Sequence, residues 1–84
     1  MKLGVNAAGV EVPADELAPL LEMEPPELRR QMREGGVTSL YERGEGEDAG
    51  RFRVTFRSAR WRVRLTCASD GTVLSRLRNR RGGP

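Results

Sequence analysis

Apolar residues alternate with arginine or threonine through most of the second half of the chain. From Arg51 the sequence reads Arg-Phe-Arg-Val-Thr-Phe-Arg, then Ser-Ala, then Arg-Trp-Arg-Val-Arg-Leu-Thr-Cys, ending at Cys67. A period of two marks strands with one buried face. With Ser58-Ala59 as a two-residue turn, Arg57 faces Arg60, Phe56 faces Trp61, Val54 faces Val63 and Phe52 faces Leu65. These apolar residues then share one face, with Trp61 at the centre of the core and Phe52, Phe56, Leu65 and Leu28 around it. Arg51, Arg53, Arg57, Arg60, Arg62 and Arg64 share the other face. Ser69-Asp70-Gly71 turns the chain into Thr72–Arg78. A three-residue loop with Gly71 in the left-handed position pairs Cys67 with Val73, Leu65 with Ser75 and Val63 with Leu77. That register adds Arg76 and Arg78 to the arginine face, whereas a two-residue Asp-Gly turn would bury them at high cost.

Upstream the period changes. Leu3-Gly-Val5 and Val10-Glu-Val12 flank Asn6-Ala-Ala-Gly9 and read as a short hairpin. Pro13 to Met23 reads as a helix with Leu17, Leu20 and Leu21 on one face, shortened or kinked by Pro19. Pro25 to Glu34 reads as a second helix with Leu28 and Met32 as its buried stripe. Gly35-Gly36 caps it, and Arg29, Arg30 and Arg33 lie on its remaining faces. Val37 to Arg43 reads as a strand, and Gly44 to Gly50 as an acidic loop. The order predicts an α+β domain over residues 1–78: an N-terminal β-hairpin, two short helices, then an antiparallel meander of three to four strands with the helices on one face. Residues 79–84 are expected to be a polar, disordered tail.

Composition narrows the function. The 84 residues suit one domain with a modest core. No apolar run is long enough for a membrane span, and no h-region of a secretory signal follows Lys2. A single cysteine excludes an internal disulfide and fits a reducing cytoplasm. Cys67 falls on the apolar side of the alternation and reads as a small core hydrophobe. The net charge of +3 hides an asymmetry. Residues 1–48 hold 5 basic and 11 acidic side chains, or −6; residues 49–84 hold 10 basic and 1 acidic, or +9. Fourteen of the 15 basic residues are arginine, a ratio that high-GC coding gives without selection. The placement of the arginines therefore carries more information than their identity.

Two resemblances add to this reading. Residues 17–37, from Leu17-Ala-Pro-Leu-Leu through Gly-Gly-Val37, resemble the helix-turn-helix of excisionase-like and MerR-like winged regulators. That resemblance implies a polar-fronted second helix presenting Arg29, Arg30 and Arg33 before a β-ribbon wing. Pro19 and Glu24-Pro25-Pro26 depart from its pattern. Over nearly the whole chain, the layout joined by Glu42-Arg43-Gly44-Glu45 and Glu47-Asp48-Ala49-Gly50-Arg51 is similar to a family of small uncharacterised proteins from alphaproteobacteria. It implies a shared fold and a bacterial cytoplasmic setting, and carries over no site residues.

With no histidine and no paired-cysteine motif, the chain lacks the commonest acid–base group and zinc ligand set. The expectation is a binding module with no catalytic residues, metal or cofactor. Its arginine face has three readings: a nucleic-acid surface contacting phosphates, a docking face for an acidic protein or a second copy, for which an exposed sheet edge would also serve, or a solvated face neutralised by Glu45, Glu47 and Asp48. The nucleic-acid reading assigns Arg53, Arg57, Arg60, Arg62, Arg64, Arg76 and Arg78, with Arg29, Arg30 and Arg33 nearby. Phe52, Phe56 and Trp61 are expected to point inward, which argues against a base-stacking platform.

Overall fold

A computed structural model describes residues 1–7 and 9–82. In chain order the elements are β1 (Gly4–Asn6), β2 (Gly9–Glu11), α1 (Ala14–Leu20), α2 (Pro25–Glu34), β3 (Thr38–Arg43), β4 (Arg51–Arg57), β5 (Trp61–Ala68) and β6 (Val73–Arg80). Strands β1 and β2 pair as the expected N-terminal hairpin, with Val5 opposite Val10. The other four form one antiparallel sheet in the order β3-β4-β5-β6. The architecture is α+β, with the helices on one sheet face. Ala8 of the expected hairpin turn, and Gly83 and Pro84 of the expected tail, lie outside the described residues. Asn79 and Arg80 pair with Arg62 and Trp61, so β6 runs two residues past the expected Arg78.

Each helix ends where its sequence demands. In α1, Pro19 lies in the last turn and the helix stops at Leu20 after two turns. Met23 N–H donates to the Ala18 carbonyl and Glu22 N–H to the Pro19 carbonyl, with Glu22 left-handed at φ 56°. These two bonds satisfy carbonyls that a helix end otherwise leaves open. In α2, Pro25 begins the helix and Gly35, at φ 85°, caps it. Leu28 is buried, but Met32 is 44% exposed and is not part of a closed stripe. The core joins Leu17, Ala18, Leu21 and Leu28 of the helical half to Phe52, Val54, Phe56, Val63, Leu65 and Cys67 of the sheet. Burial pushes the Cys67 thiol up from its ordinary pKa. The stability this group contributes is intact below that ordinary value and falls as pH rises through the raised one.

Two registers differ from expectation. The β4–β5 turn is centred on Ala59-Arg60, because Ser58 Oγ accepts the N–H groups of Trp61 at 3.0 Å and Arg60 at 3.3 Å. Arg57 therefore faces Arg62, Phe56 faces Val63, Val54 faces Leu65 and Phe52 faces Cys67. The slip is an even one, so every side chain keeps its predicted face. Trp61 moves from the centre of the core to its rim, where it is only partly buried.

The β5–β6 hairpin turns at Ser69-Asp70-Gly71 as expected, with Gly71 at φ 95° and Cys67 opposite Val73. Asp70 accepts the Thr72 N–H at 2.9 Å, a bond that holds its carboxyl below the usual carboxylate range. A bulge then intervenes: Thr66 faces Ser75, which leaves Leu74 as the extra residue. Beyond it Leu65 faces Arg76 and Val63 faces Arg78, so every later side chain of β6 has changed face.

Gly71 also touches the N-terminus. Leu3 N–H donates to its carbonyl at 2.8 Å, and a Cβ at Gly71 would collide with the Leu3 carbonyl. Gly71→Ala is expected to destabilise through both the left-handed backbone, of order 1–3 kcal/mol, and this collision. A thermal melt by circular dichroism should show a clearly lower midpoint; an unchanged one would contradict the contact.

Candidate nucleic-acid interface

Alternation along the sheet separates two faces. The inner one carries Phe52, Val54, Phe56, Val63, Leu65 and Cys67 against the helices. The outer one has no second layer among the described residues. Across its strands run three rows: Thr38, Arg57, Arg62, Asn79; Leu40, Thr55, Arg64, Leu77; and Glu42, Arg53, Thr66, Ser75. Arg51, opposite Ala68, lies on the same face at one end. Within a strand, alternate residues are about 6.6 Å apart, and neighbouring strands are about 4.8 Å apart. Five arginines thus stand on a compact grid.

Their surroundings are weakly compensated. Glu42 is the only acid that a strand sets on this face among the described residues, 3.7 Å from Arg53, and the loop acids Glu45 and Asp48 border Arg51 and Arg53 at one end. Arg57 stands directly opposite Arg62, a like-charge pair that a sheet does not favour. Thr55 sits on the uncovered side yet is 3% exposed. The long stems of the adjacent arginines account for that shelter. Beneath them the Nε groups of Arg62 and Arg64 and the Thr55 hydroxyl are buried without a partner among the described residues. Glu45 and Asp48 line a cleft with Arg51 and Arg53 at the loop end of the sheet, but form no ion pair with them. The acidic loop therefore borders the Arg51–Arg53 end of the grid and leaves Arg57, Arg62 and Arg64 away from its acids.

Of the sequence-predicted site residues, the structure brings together Arg53, Arg57, Arg62 and Arg64. Arg60 occupies the β4–β5 turn beside them. Arg51 belongs to the grid as well, as the alternation already indicated. Arg76 and Arg78 do not share this face. The β6 bulge turns them to the helix side, where the Arg78 guanidinium lies 3.5 Å from the centre of the Trp61 ring and its Nε donates to the Leu20 carbonyl at 2.7 Å. Arg80 lies 5.8 Å from the same ring, and Trp61 Nε1 donates to Glu22 at 2.7 Å. This cation–π and hydrogen-bond cluster ties the end of α1 to the sheet rim. Arg29, Arg30 and Arg33 sit on α2, in the helical layer, and cannot join the outer face; Arg30 pairs with Glu27 at 3.4 Å. Leu40 and Leu77, 55% and 47% exposed, flank the central row and were not anticipated on this face. Among the described residues no cluster of acidic, histidine or cysteine side chains could hold a metal ion, and no helix is long and apolar enough to cross a membrane.

One protein-family model matches residues 1–83, that of a family of unknown function (DUF6522). No curated protein and no solved structure matches the chain.

Proposed function

The chain belongs to a family of unknown function, DUF6522, and because that membership brings no activity with it, we propose from geometry alone that the outer sheet face binds the backbone of nucleic acid without reading sequence. The observation that carries this reading is the grid of Arg51, Arg53, Arg57, Arg62 and Arg64 on an uncovered face, with Glu42 the one acid ion-paired to it among the described residues. Phosphates would relieve the Arg57–Arg62 repulsion and accept from the guanidinium groups of Arg51, Arg57, Arg62 and Arg64, which pair with no acid among the described residues. Among the described residues no aromatic side chain stands on this face, so base stacking has no platform and contacts would be to phosphate and sugar. A bacterial cytoplasmic setting goes with the reading: it offers nucleic acid, and it keeps a lone thiol such as Cys67 reduced.

A second reading is a docking face for an acidic protein. Leu40 and Leu77 favour it, since apolar side chains at the two ends of the Arg64 row add nothing to a phosphate contact but would be buried by a protein surface. A fluorescence-anisotropy titration at about 50 mM salt, where screening is still weak, separates the two. Short duplex and single-stranded probes should bind with Kd on the order of 10⁻⁴ to 10⁻⁶ M, the non-specific range. If neither probe binds below about 100 μM, the weak end of that range, the nucleic-acid reading fails and docking takes its place.

A further inference from the structure

Strand β3 forms one edge of the sheet, and its open side is unpaired among the described residues. Its hydrogen-bonding direction follows from Gly44, whose N–H donates to the Arg51 carbonyl at 2.9 Å. Counting back by twos, Glu42, Leu40 and Thr38 turn their backbone groups toward β4, while Arg43, Tyr41 and Ser39 turn theirs outward. The strand contains no proline or bulge, and its charges, Glu42 and Arg43, stand together at its C-terminal end, leaving Thr38 to Tyr41 without the devices that commonly protect an edge. The opposite edge differs. The N-terminus holds the start of β6, with Val73 N–H donating to the Met1 carbonyl at 3.2 Å. The rest of β6 carries Arg76, Arg78 and Arg80, which would repel a second copy.

We propose that β3 pairs antiparallel with β3 of a second copy of this chain, about a two-fold axis at Leu40, joining two four-stranded sheets into one of eight. In this register Leu40 faces the partner's Leu40, Thr38 faces the partner's Glu42, and Ser39 faces the partner's Tyr41. The register is self-complementary, because no like charges meet and the outward backbone groups of Ser39 and Tyr41 find partners. On the helix side of the same edge, an apolar cavity of about 200 Å³ opens among Val10, Val12, Leu28, Met32, Ser39 and Tyr41. The partner's Tyr41, standing opposite Ser39, reaches the mouth of this cavity. Met32 and Tyr41, 44% and 53% exposed in one copy, would be covered together. Both arginine grids then face the same way, on one continuous sheet. The contact is small, so association is expected at micromolar concentration.

The test is sedimentation velocity without nucleic acid, from about 1 to 200 μM, which brackets a micromolar Kd. The wild-type mass should rise toward twice the chain mass of 9.4 kDa. Leu40→Lys sets two ammonium groups face to face at a site exposed in the single copy, and should weaken association at least tenfold. Ser39→Pro removes an N–H that points away from β4, which an edge strand tolerates, and should do the same. Circular dichroism should show both variants folded. A wild type that stays monomeric at the highest concentration overturns the proposal. So does a dimer that survives Leu40→Lys but is lost in Leu77→Lys, which would place the contact elsewhere. Because the measurement contains no nucleic acid, it stands or falls separately from the proposed phosphate contact.

Discussion

Phe56→Ala is expected to leave the domain largely unfolded at room temperature. Phe56 is 2% exposed, stands between Ser39 on β3 and Val63 on β5, and belongs to the apolar layer shared with Leu17 and Leu28. Truncating a buried phenylalanine costs roughly 3–5 kcal/mol, because the helices and strands around the void are fixed by other contacts. A chain of 84 residues belongs near the low end of the roughly 5–15 kcal/mol that holds a domain together. The far-ultraviolet dichroism of the variant should show lost strand signal and no cooperative melt. The same truncation at Trp61 should cost less, since that ring lies at the rim, with Arg78 against one side and its N–H on an exposed Glu22. A near-wild-type melt for Phe56→Ala would show that the core is centred elsewhere.

The second large effect concerns binding. Arg62→Glu combined with Arg64→Glu should abolish nucleic-acid binding while leaving the fold intact. The outer face carries five arginines against Glu42, a net +4. The double change leaves three arginines against three glutamates, so the attraction for phosphate vanishes. Neither side chain contributes to the apolar core, and a glutamate at position 62 would face Arg57 as an opposite charge. The melting midpoint should fall by less than in Phe56→Ala, through the lost packing of the two stems over Thr55 and not through the core. Arg76→Glu combined with Arg78→Glu makes the informative control, since those residues lie on the other side of the sheet; its melt is read alongside, because Arg78 also ties Trp61 and the Leu20 carbonyl to the sheet rim. If the Arg62 and Arg64 variant binds as tightly as wild type, the grid is not the contact surface.

Much of this architecture was legible in the alternation itself. Phe52, Val54, Phe56, Val63, Leu65 and Cys67 all lie inward, because a period of two leaves a strand only two ways to face and burial chooses between them. Gly35 and Gly71 were legible as caps and turns because their left-handed backbones favour a residue without Cβ. The β4–β5 turn was misplaced by one residue, since nothing in Ser58-Ala59-Arg60 reveals that the Ser58 hydroxyl will accept two backbone N–H groups. The inward side of Trp61 was correct, but its depth depended on that turn.

The consequential miss was the bulge at Leu74. Thr72 to Arg78 reads as one uninterrupted ladder although its alternation breaks at Val73-Leu74 and again at Ser75-Arg76, where the extra residue falls. That single residue divided the expected arginine face, sending Arg76 and Arg78 to Trp61 and the helix side. The grid that remains is smaller than the sequence suggested, and Leu40 and Leu77 border it. Their position could not be read before the registers of β3 and β6 were known.

The salt dependence of binding tests the central claim most directly. Arg51, Arg57, Arg62 and Arg64 are the arginines of the grid without an acid at ion-pair distance among the described residues. If each meets one phosphate, four counterions are displaced, and log-affinity for duplex DNA against log-salt should fall with a slope of about −3.6. Anisotropy titrations at a series of salt concentrations from about 25 to 150 mM, spanning Debye lengths of roughly 20 to 8 Å, would measure it. A slope near that value in wild type, lost in the Arg62 and Arg64 variant and kept in the Arg76 and Arg78 variant, is the predicted result. A wild-type slope near zero, or one that follows Arg76 and Arg78 instead, would contradict the account.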